Sequence, residues 1–558
     1  MKYKNNILLL LEDKTNIYQE RIALGIKTSL GWKEFTYKGI GLLSRKLASF
    51  LINDLGLKKG ERLAILSESK PEYGACVFAS VMSGLITVPL DIKLTKYELK
   101  SILLDCRPSI ILTSSEYIDK ALELKKEVDS IKHILVIDEP SYNLALPCLY
   151  TLPNNYETKW RHRSSKSTAL IIYTSGTTGS PKGVEITFRN MFAQLDGMEE
   201  VLPKIFDASG GVSILSILPM NHLFELTVGF STFLYLGLSV YYTQSLKPKD
   251  ILSMMREKNV DFMIVVPAFL KLLKAGIEND IANSSKQVQI AFKILYKIAQ
   301  KIPSYSIRKM MFKKIHDKFG GKFCGCISGG APLDLAVADF FETIGIKIYQ
   351  GYGLSETSPV VSVNFDKKRN LTSVGRLLKG FEAKVDSTTG ELLLKGTSVM
   401  KGYYNNPNMT AEVLEADGWL HTGDIAQIDK GGQIYITGRI KNMIVLSGGK
   451  KVFPEEVETV LEKSPYFSEV CVLGVSRAGG VKDGTEEIVA VVVPNEDTVK
   501  KFPEEKELNR IIREEVKHLS NHLASYKRPH NITISKEPLP KTATRKVKRN
   551  EVKELVKL

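Results

Sequence analysis

The sequence predicts an α/β protein. A large multi-layer N-terminal domain of doubly wound sheets carries a small β-rich subdomain, and a small α+β C-terminal domain follows. Three observations carry this expectation. Helical and strand patterns alternate from the start of the chain, the character changes to short strands and Gly-rich turns from Gly380, and a last stretch of about 115 residues is long enough to fold alone. At 558 residues the chain exceeds one ordinary core, so two or more domains are expected. Its 43% hydrophobic and 25% charged content is ordinary for a globular protein and excludes a disordered or fibrous one.

The first apolar run, residues 7–11, is broken at once by Glu12 and Asp13. A signal peptide needs about 7–15 apolar residues and a small-residue cleavage site, so no export signal is expected. Residues 43–55 are amphipathic, 61–66 read as a strand, and 73–84 as a helix of small and apolar residues. Residues 86–89 and 110–112 are further strands, and 147–167 form a polar connection. Residues 169–172 are a buried strand leading into YTSGTTGSPKG, residues 173–183. Strand-like runs then recur at 212–219, 260–267, 325–330 and 346–353, each ending in a turn. Ligands of such sheets collect at the carboxyl ends of strands, so the PMNHLFE, SGGAPLD and QGYGLSET turns and the 173–183 loop are expected to line one cleft. Residues 223–242 are the most apolar stretch, and Glu225 within it argues for a buried helix over a membrane span. No internal repeat or low-complexity segment is visible.

Residues 286–322 hold ten Lys or Arg against a single acid, Asp317, interleaved with apolar residues. Such a segment either lies on an anionic membrane surface or is a solvated helical face over a core. The net charge of +15 favours anionic partners in general, and no nucleic-acid-binding module is recognisable. After Gly380 come strands at 390–396 and 432–438, a polar connection at 439–442, a helix at 454–463, strands at 470–475 and 488–493, and a helix at 507–522. The six cysteines are scattered, which predicts reduced thiols in a cytoplasmic protein, and Cys324 with Cys326 reads as strand packing, not a metal site.

The 173–183 loop is rich in Gly, Ser and Thr and carries Lys182 behind a buried strand. Backbone N–H groups and hydroxyls of Thr174, Ser175, Gly176, Thr177, Thr178 and Gly179 can close around phosphate oxygens, with Lys182 adding charge. It is not a Walker A loop, because Pro181 precedes the Lys and Gly183 follows it.

Together YTSGTTGSPKG, QGYGLSETSP, DGWLHTGD, GRIKNMIVLSGGKKVFPEEVE and LPKTATRKVKR, in this order, resemble the successive signatures of the adenylate-forming (AMP-binding) enzymes. The resemblance implies residues 1–439 as an AMP- and acyl-binding domain and 440–558 as a mobile C-terminal domain turning about a hinge near Lys441. It implies ATP, Mg²⁺ and coenzyme A as cofactor and substrates. By resemblance Lys546 is the adenylation lysine, and Glu356, with Thr174, holds Mg²⁺, with Thr357 nearby. Gly329, Gly330, Ala331 and Pro332 with Gln350, Gly351, Tyr352 and Gly353 border the adenine slot, while Asp424 and Arg439 meet the ribose or phosphate. Ser447, Gly448, Gly449 and Lys450 resemble the loop that lines the coenzyme A tunnel. Arg545 departs from the family, which commonly has Gly before the catalytic lysine.

His222, Phe224 and Glu225 stand where the family places an acyl gate, and HLFE with the basic insertion resembles the long-chain fatty acyl-CoA synthetase branch. The implied activity is an ATP-dependent ligase that activates a medium- or long-chain fatty acid as acyl-adenylate, releases pyrophosphate and transfers the acyl group to coenzyme A. The alternatives are transfer to acyl carrier protein, and a non-catalytic acyl- or nucleotide-binding protein on a membrane. The expected location is the cytoplasm, with peripheral contact at the inner membrane surface.

Overall fold

The computed structural model describes residues 7–139, 146–154, 159–174, 181–206, 211–366, 369–446, 450–476, 486–541 and 547–556. The chain divides into two compact units, residues 1–382 with 394–420, and residues 383–393 with 421–558.

The larger unit is built on two sheets with parallel centres. The first has nine strands in the order Arg376–Leu377, Ser362–Val363, Lys347–Tyr352, Gly325–Ser328, Phe262–Val265, Ser213–Ser216, Ser239–Tyr242, Ile22–Thr28 and Gly31–Thr36. The second has seven, in the order Gly402–Tyr403, Lys182–Thr187, Thr168–Thr174, Ile86–Pro89, Arg62–Leu66, Ile110–Thr113 and His133–Val136. Their central strands read as short unbroken apolar runs because both faces are covered: Arg62–Leu66, Phe262–Val265 and Gly325–Ser328 are buried almost throughout. One core joins the facing sides of the sheets through helices Tyr37–Ser49, Pro71–Ser83 and Phe188–Ile205. The outer face of the nine-stranded sheet packs under helices that include Pro248–Glu257, Pro267–Ala282 and Leu335–Thr343, and the outer face of the seven-stranded sheet under Lys96–Cys106 and Ile118–Glu127. Cys326 is buried in its strand, and among the described residues no cluster of metal-ligating side chains occurs.

In each sheet the order of the central parallel strands reverses. The reversal falls between Ser213–Ser216 and Phe262–Val265 in the first sheet, and between Arg62–Leu66 and Ile110–Thr113 in the second. The loops after the reversing strands touch, since Ser69 Oγ donates to Leu218 O at 3.2 Å and accepts from Met220 N at 2.8 Å. A crevice outside such reversals is where ligands of open α/β sheets bind.

The stretch read as one buried helix, 223–242, is helical only to Tyr235, wide-turned over Glu225–Thr232 and α-helical over Phe233–Tyr235, and then gives way to a strand Ser239–Tyr242. A continuous apolar run carries no period that separates a buried helix from a buried strand. No helix among the described residues is long and apolar enough to cross a membrane.

The smaller unit holds a three-stranded sheet, Phe467–Ser476, Glu486–Pro494 and Asn531–Ile534, covered by helices Pro454–Leu461 and Glu505–Ser520. Arg549 fastens the final helix Arg549–Leu555 to it with two short bonds to Glu458, at 2.6 and 2.7 Å, and one to Val472 O at 2.7 Å. The strands Leu420–Ile428 and Ile434–Arg439 belong to this unit for most of their length. Gly438 is why they fit there: a Cβ on it would stand 2.6 Å from the Phe453 ring. The compact units divide near Leu420, with residues 383–393 also in the smaller one.

Candidate active site

The 173–183 loop joins two antiparallel strands, with Thr174 paired directly to Lys182. Ser175, Gly176, Thr177, Thr178 and Gly179 lie outside the described residues. A strand, Lys182–Thr187, follows the loop where a Walker-type loop opens a helix. Lys182 places Nζ 5.3 Å from the centroid of the Tyr403 ring. Tyr403 OH in turn donates to Glu356 Oε1 at 2.9 Å. Burial, and then the Glu356 charge, push the Tyr403 phenol well above its ordinary range, so it remains a donor. Tyr403 arrives by edge pairing: it sits opposite Val184, and Tyr404 N donates to Gly183 O at 2.7 Å. Tyr403 thus links a cation, Lys182, to a half-buried carboxylate, Glu356.

Glu356 lies on a tight turn, Ser355–Thr357, just beyond strand Lys347–Tyr352. Thr357 is fully buried, and its hydroxyl accepts from Leu354 N at 2.9 Å, closing that turn. Gln194, on helix Phe188–Ile205, bonds Thr357 O at 3.2 Å, Val360 O at 2.8 Å and, through Oε1, Val360 N at 3.1 Å. One turn earlier, Asn190 holds Thr397 O and Val399 O at 2.7 and 2.9 Å. Two amides on one helical face therefore fix the backbone on either side of Glu356 and Tyr403. Gly353 is compulsory here, since a Cβ on it would fall 1.7 Å from Pro359 O. Gln350 is buried, and its side chain donates to Leu371 O at 2.7 Å.

Strand Gly325–Ser328 runs parallel to Lys347–Tyr352 with Ser328 opposite Gln350, so the SGGAPLD and QGYGLSET turns leave the sheet side by side. Gly330 takes φ +83, and Ala331 and Pro332 are exposed. Asp334 ends the turn by capping helix Leu335–Thr343, accepting from Ala336 N at 2.6 Å. A Cβ on Gly329 would meet Phe224 Cζ at 3.1 Å, so Phe224 rests on the glycine turn and the PMNHLFE and SGGAPLD turns meet. His222 is half-buried in the PMNHLFE turn, while Glu225 is fully buried. Burial pushes the Glu225 carboxyl up to about 8. Ser216 Oγ lies close enough to lower it slightly, yet neither carboxylate oxygen reaches hydrogen-bond geometry among the described residues.

In the smaller unit Asp424 and Arg439 face each other across strands Leu420–Ile428 and Ile434–Arg439, joined by an Arg439 Nε to Asp424 Oδ1 bond of 2.6 Å. Glu391 orients the HTGD turn by accepting from Gly423 N at 2.7 Å and pairing with His421 Nδ1 at 2.9 Å. Lys441 is exposed on the turn Ile440–Asn442. Ser447, Gly448 and Gly449 lie outside the described residues. Lys450, beyond them, places Nζ 4.6 Å from the Tyr526 ring centroid. Lys546 and Arg545 are also outside them, and the residues on either side, Lys541 and Val547, pair as an antiparallel bridge.

Sequence reasoning missed Tyr403, Gln194 and Ser69. The Gly-Tyr-Tyr run at 402–404 marks a turn but gives no sign of its partner Glu356, far earlier in the chain.

A family model described as AMP-binding enzyme matches residues 11–404, and one described as AMP-binding enzyme C-terminal domain matches residues 456–546. A long-chain-fatty-acid–CoA ligase of Mycobacterium bovis is 28% identical over 485 residues, spanning 84% of this chain and 78% of its own. A chloroplastic long-chain-fatty-acid–[acyl-carrier-protein] ligase of Arabidopsis thaliana is 32% identical over 401 residues, spanning 61% of this chain and 53% of its own. ATP-bound MatB from Rhodopseudomonas palustris shares the fold with a TM-score of 0.78 at 24% identity, covering 99% of this chain and 98% of that one.

Proposed function

This chain belongs to the AMP-binding enzymes, the adenylate-forming ligases related to long-chain-fatty-acid–CoA ligases among other acyl-CoA ligases, and from that premise we propose that it activates a medium- or long-chain fatty acid and transfers it to coenzyme A. The observation that carries the reading is the Tyr403 side chain joining Lys182 to Glu356 beside strand Lys182–Thr187.

A fatty carboxylate is ionised at pH 7 and needs no general base. Its oxygen attacks the α-phosphorus of ATP as the bond to pyrophosphate breaks, and a thiol sulfur then attacks the acyl carbonyl with AMP leaving. The first step is opposed by repulsion, about 4 kcal/mol for each pair of like charges ~4 Å apart at an effective dielectric near 20. Lys182 from the loop side and Lys546 from the C-terminal domain relieve it. Glu356, with Thr174, would hold magnesium through their oxygens. A single carboxylate fits that ion, which binds through one or two carboxylates plus phosphate oxygens. When bound, it neutralises phosphate charge and fixes phosphate geometry. Asp424 and Arg439 take the ribose, the turns at 329–332 and 350–353 border the base, and Phe224 and His222 border the acyl group. Turning about Lys441 withdraws Lys546 and presents Lys450 with residues 447–449 to the thiol.

Acyl carrier protein is the second candidate acceptor. The +15 charge suits that acidic partner, and the Arabidopsis relative named above is a ligase of that kind. The test is fatty-acid-dependent pyrophosphate release from ATP and Mg²⁺ over a series of chain lengths, with coenzyme A or acyl carrier protein then added. Release peaking at one chain length, followed by thioester on coenzyme A, is expected. ATP binding without release for any acid would replace the ligase with a binding protein, and Arg545 would be the residue to revert first.

A further inference from the structure

We infer that the outward face of helix Lys286–Ala299 is a docking surface for an anionic phospholipid bilayer. The helix turns Phe292, Leu295, Tyr296 and Ala299 inward onto the core beneath the nine-stranded sheet. A solvated helix would be polar on the opposite side. Here that side presents Ile290, Ile294 and Ile298, exposed by 58%, 54% and 47%, on three successive turns. Neighbouring segments add to it: Leu272, Ile307 and Met310 are exposed as well. Seven of the seventeen exposed large apolar side chains among the described residues fall between 272 and 310, a concentration that single scattered surface residues do not produce.

Charge selects the occupant. Lys286, Lys293 and Lys297 are exposed beside the isoleucine ridge, and none has an ion-pair partner among the described residues. Three other lysines of these helices do pair, Lys274 with Glu278, Lys313 with Asp317 and Lys318 with Asp280. An apolar ridge flanked by unpaired cations matches the boundary between acyl chains and anionic headgroups. A second copy of the chain fits poorly, because a two-fold interface would set these lysines against their own equivalents. The face is also a convex ridge, which a soluble partner must receive in a matching groove and a fluid bilayer need not.

The test is cosedimentation of the full chain with vesicles of phosphatidylcholine, with or without phosphatidylglycerol. Since the assay holds neither ATP nor an acyl acid, its outcome is independent of the ligase reading. Binding is expected only with phosphatidylglycerol and should weaken as salt rises. Replacing Ile290, Ile294 and Ile298 together by Ser should weaken it at least ~30-fold. Each of Lys286→Gln, Lys293→Gln and Lys297→Gln should weaken it about fivefold. Thermal unfolding should be unchanged in all of these exposed variants. Equal binding by wild type and variants, or equal binding to both vesicle types, overturns the proposal. So does a wild-type dimer that I294S dissociates, or retention on immobilised acyl carrier protein, and not on vesicles, that depends on these residues.

Discussion

Replacing Glu225 by Gln should make the larger unit more stable at neutral and alkaline pH. The carboxyl is fully buried, and its two oxygens reach no hydrogen-bond partner among the described residues. It folds back over its own helix, where a Cβ on Gly229 would fall 2.3 Å from Oε1. Ser216 Oγ and Tyr242 OH, on paired residues nearby, also lack partners. Burial raises the carboxyl from 4.5 to about 8, so the native chain keeps a proton that the unfolded chain releases. The sign follows directly: the stability associated with this proton is complete below pH 4.5 and is lost as pH rises to about 8. At about 1.4 kcal/mol per pH unit the whole loss approaches 5 kcal/mol, with more than half of it reached by pH 7. Gln has the same shape and no charge to bury. The measurement is denaturant unfolding of wild type and E225Q between pH 5 and 9, followed by tryptophan fluorescence. Trp32, Trp160 and Trp419 all lie in the unit that contains Glu225, so the signal reports that unit. The wild-type minus E225Q difference should fall by about 1.4 kcal/mol per pH unit up to pH ~8 and then flatten. Parallel curves would mean that Glu225 is ionised in the native protein, and the argument from desolvation would fail.

Tyr403→Phe removes the hydrogen bond to Glu356 and leaves the ring under Lys182; about a tenfold fall in pyrophosphate release is expected, with ATP affinity reduced less, and a double-mutant cycle with Glu356→Gln should give a coupling of about 1–2 kcal/mol. Gln194→Leu strands Thr357 O, Val360 O and Val360 N, and should cost about 2–3 kcal/mol in unfolding while raising KM for ATP; an unchanged melting temperature would count against the clamp. Lys546→Ala should cut adenylation by about 10²- to 10³-fold and largely spare thioester formation from supplied acyl-adenylate, whereas equal loss in both steps would remove the case for domain rotation.

Much of the fold was legible because its central strands are buried on both faces. Residues 61–66, 260–267 and 325–330 are short apolar runs bounded by turns, and each contains a strand. The same property hid the break in 223–242, where apolar residues continue through the wide-turned segment into the strand Ser239–Tyr242. Site residues carried by Gly-rich turns, such as Glu356 and Asp424, announce themselves locally. Tyr403 does not, because its place depends on a two-residue edge strand pairing with Lys182–Thr187. The Asp424–Arg439 bond was equally hidden: both residues stand out in their motifs, but only the hairpin register sets them face to face. Gln194 looks like any polar residue on an amphipathic helix until the turns it holds are folded around it.

The antiparallel strands on either side of the loop lead us to expect a larger part for Lys182 than a helix-backed loop would need. A helix N-terminus carries about half a charge, and a group placed at it gains typically 0.3–1 kcal/mol. A lysine ~4 Å from a phosphate oxygen supplies about 4 kcal/mol at an effective dielectric near 20. With a strand, Lys182–Thr187, in the place of that helix, the lysine has no helix dipole to share its task. The Tyr403 ring 5.3 Å from Nζ holds the cation near the loop mouth, and the same phenol orients Glu356, so cation and carboxylate are placed by one side chain. Lys182→Ala should therefore weaken ATP binding and lower pyrophosphate release together, by about 10²-fold or more overall, while Lys182→Arg should recover most of the binding but less of the turnover, because a planar fork cannot occupy the position of a point charge. Single-turnover pyrophosphate release with titrated ATP separates the two effects. If Lys182→Ala raised only KM and left turnover intact, the cation would serve the ground state alone, and the relief of repulsion in the attack step would have to be assigned to Lys546.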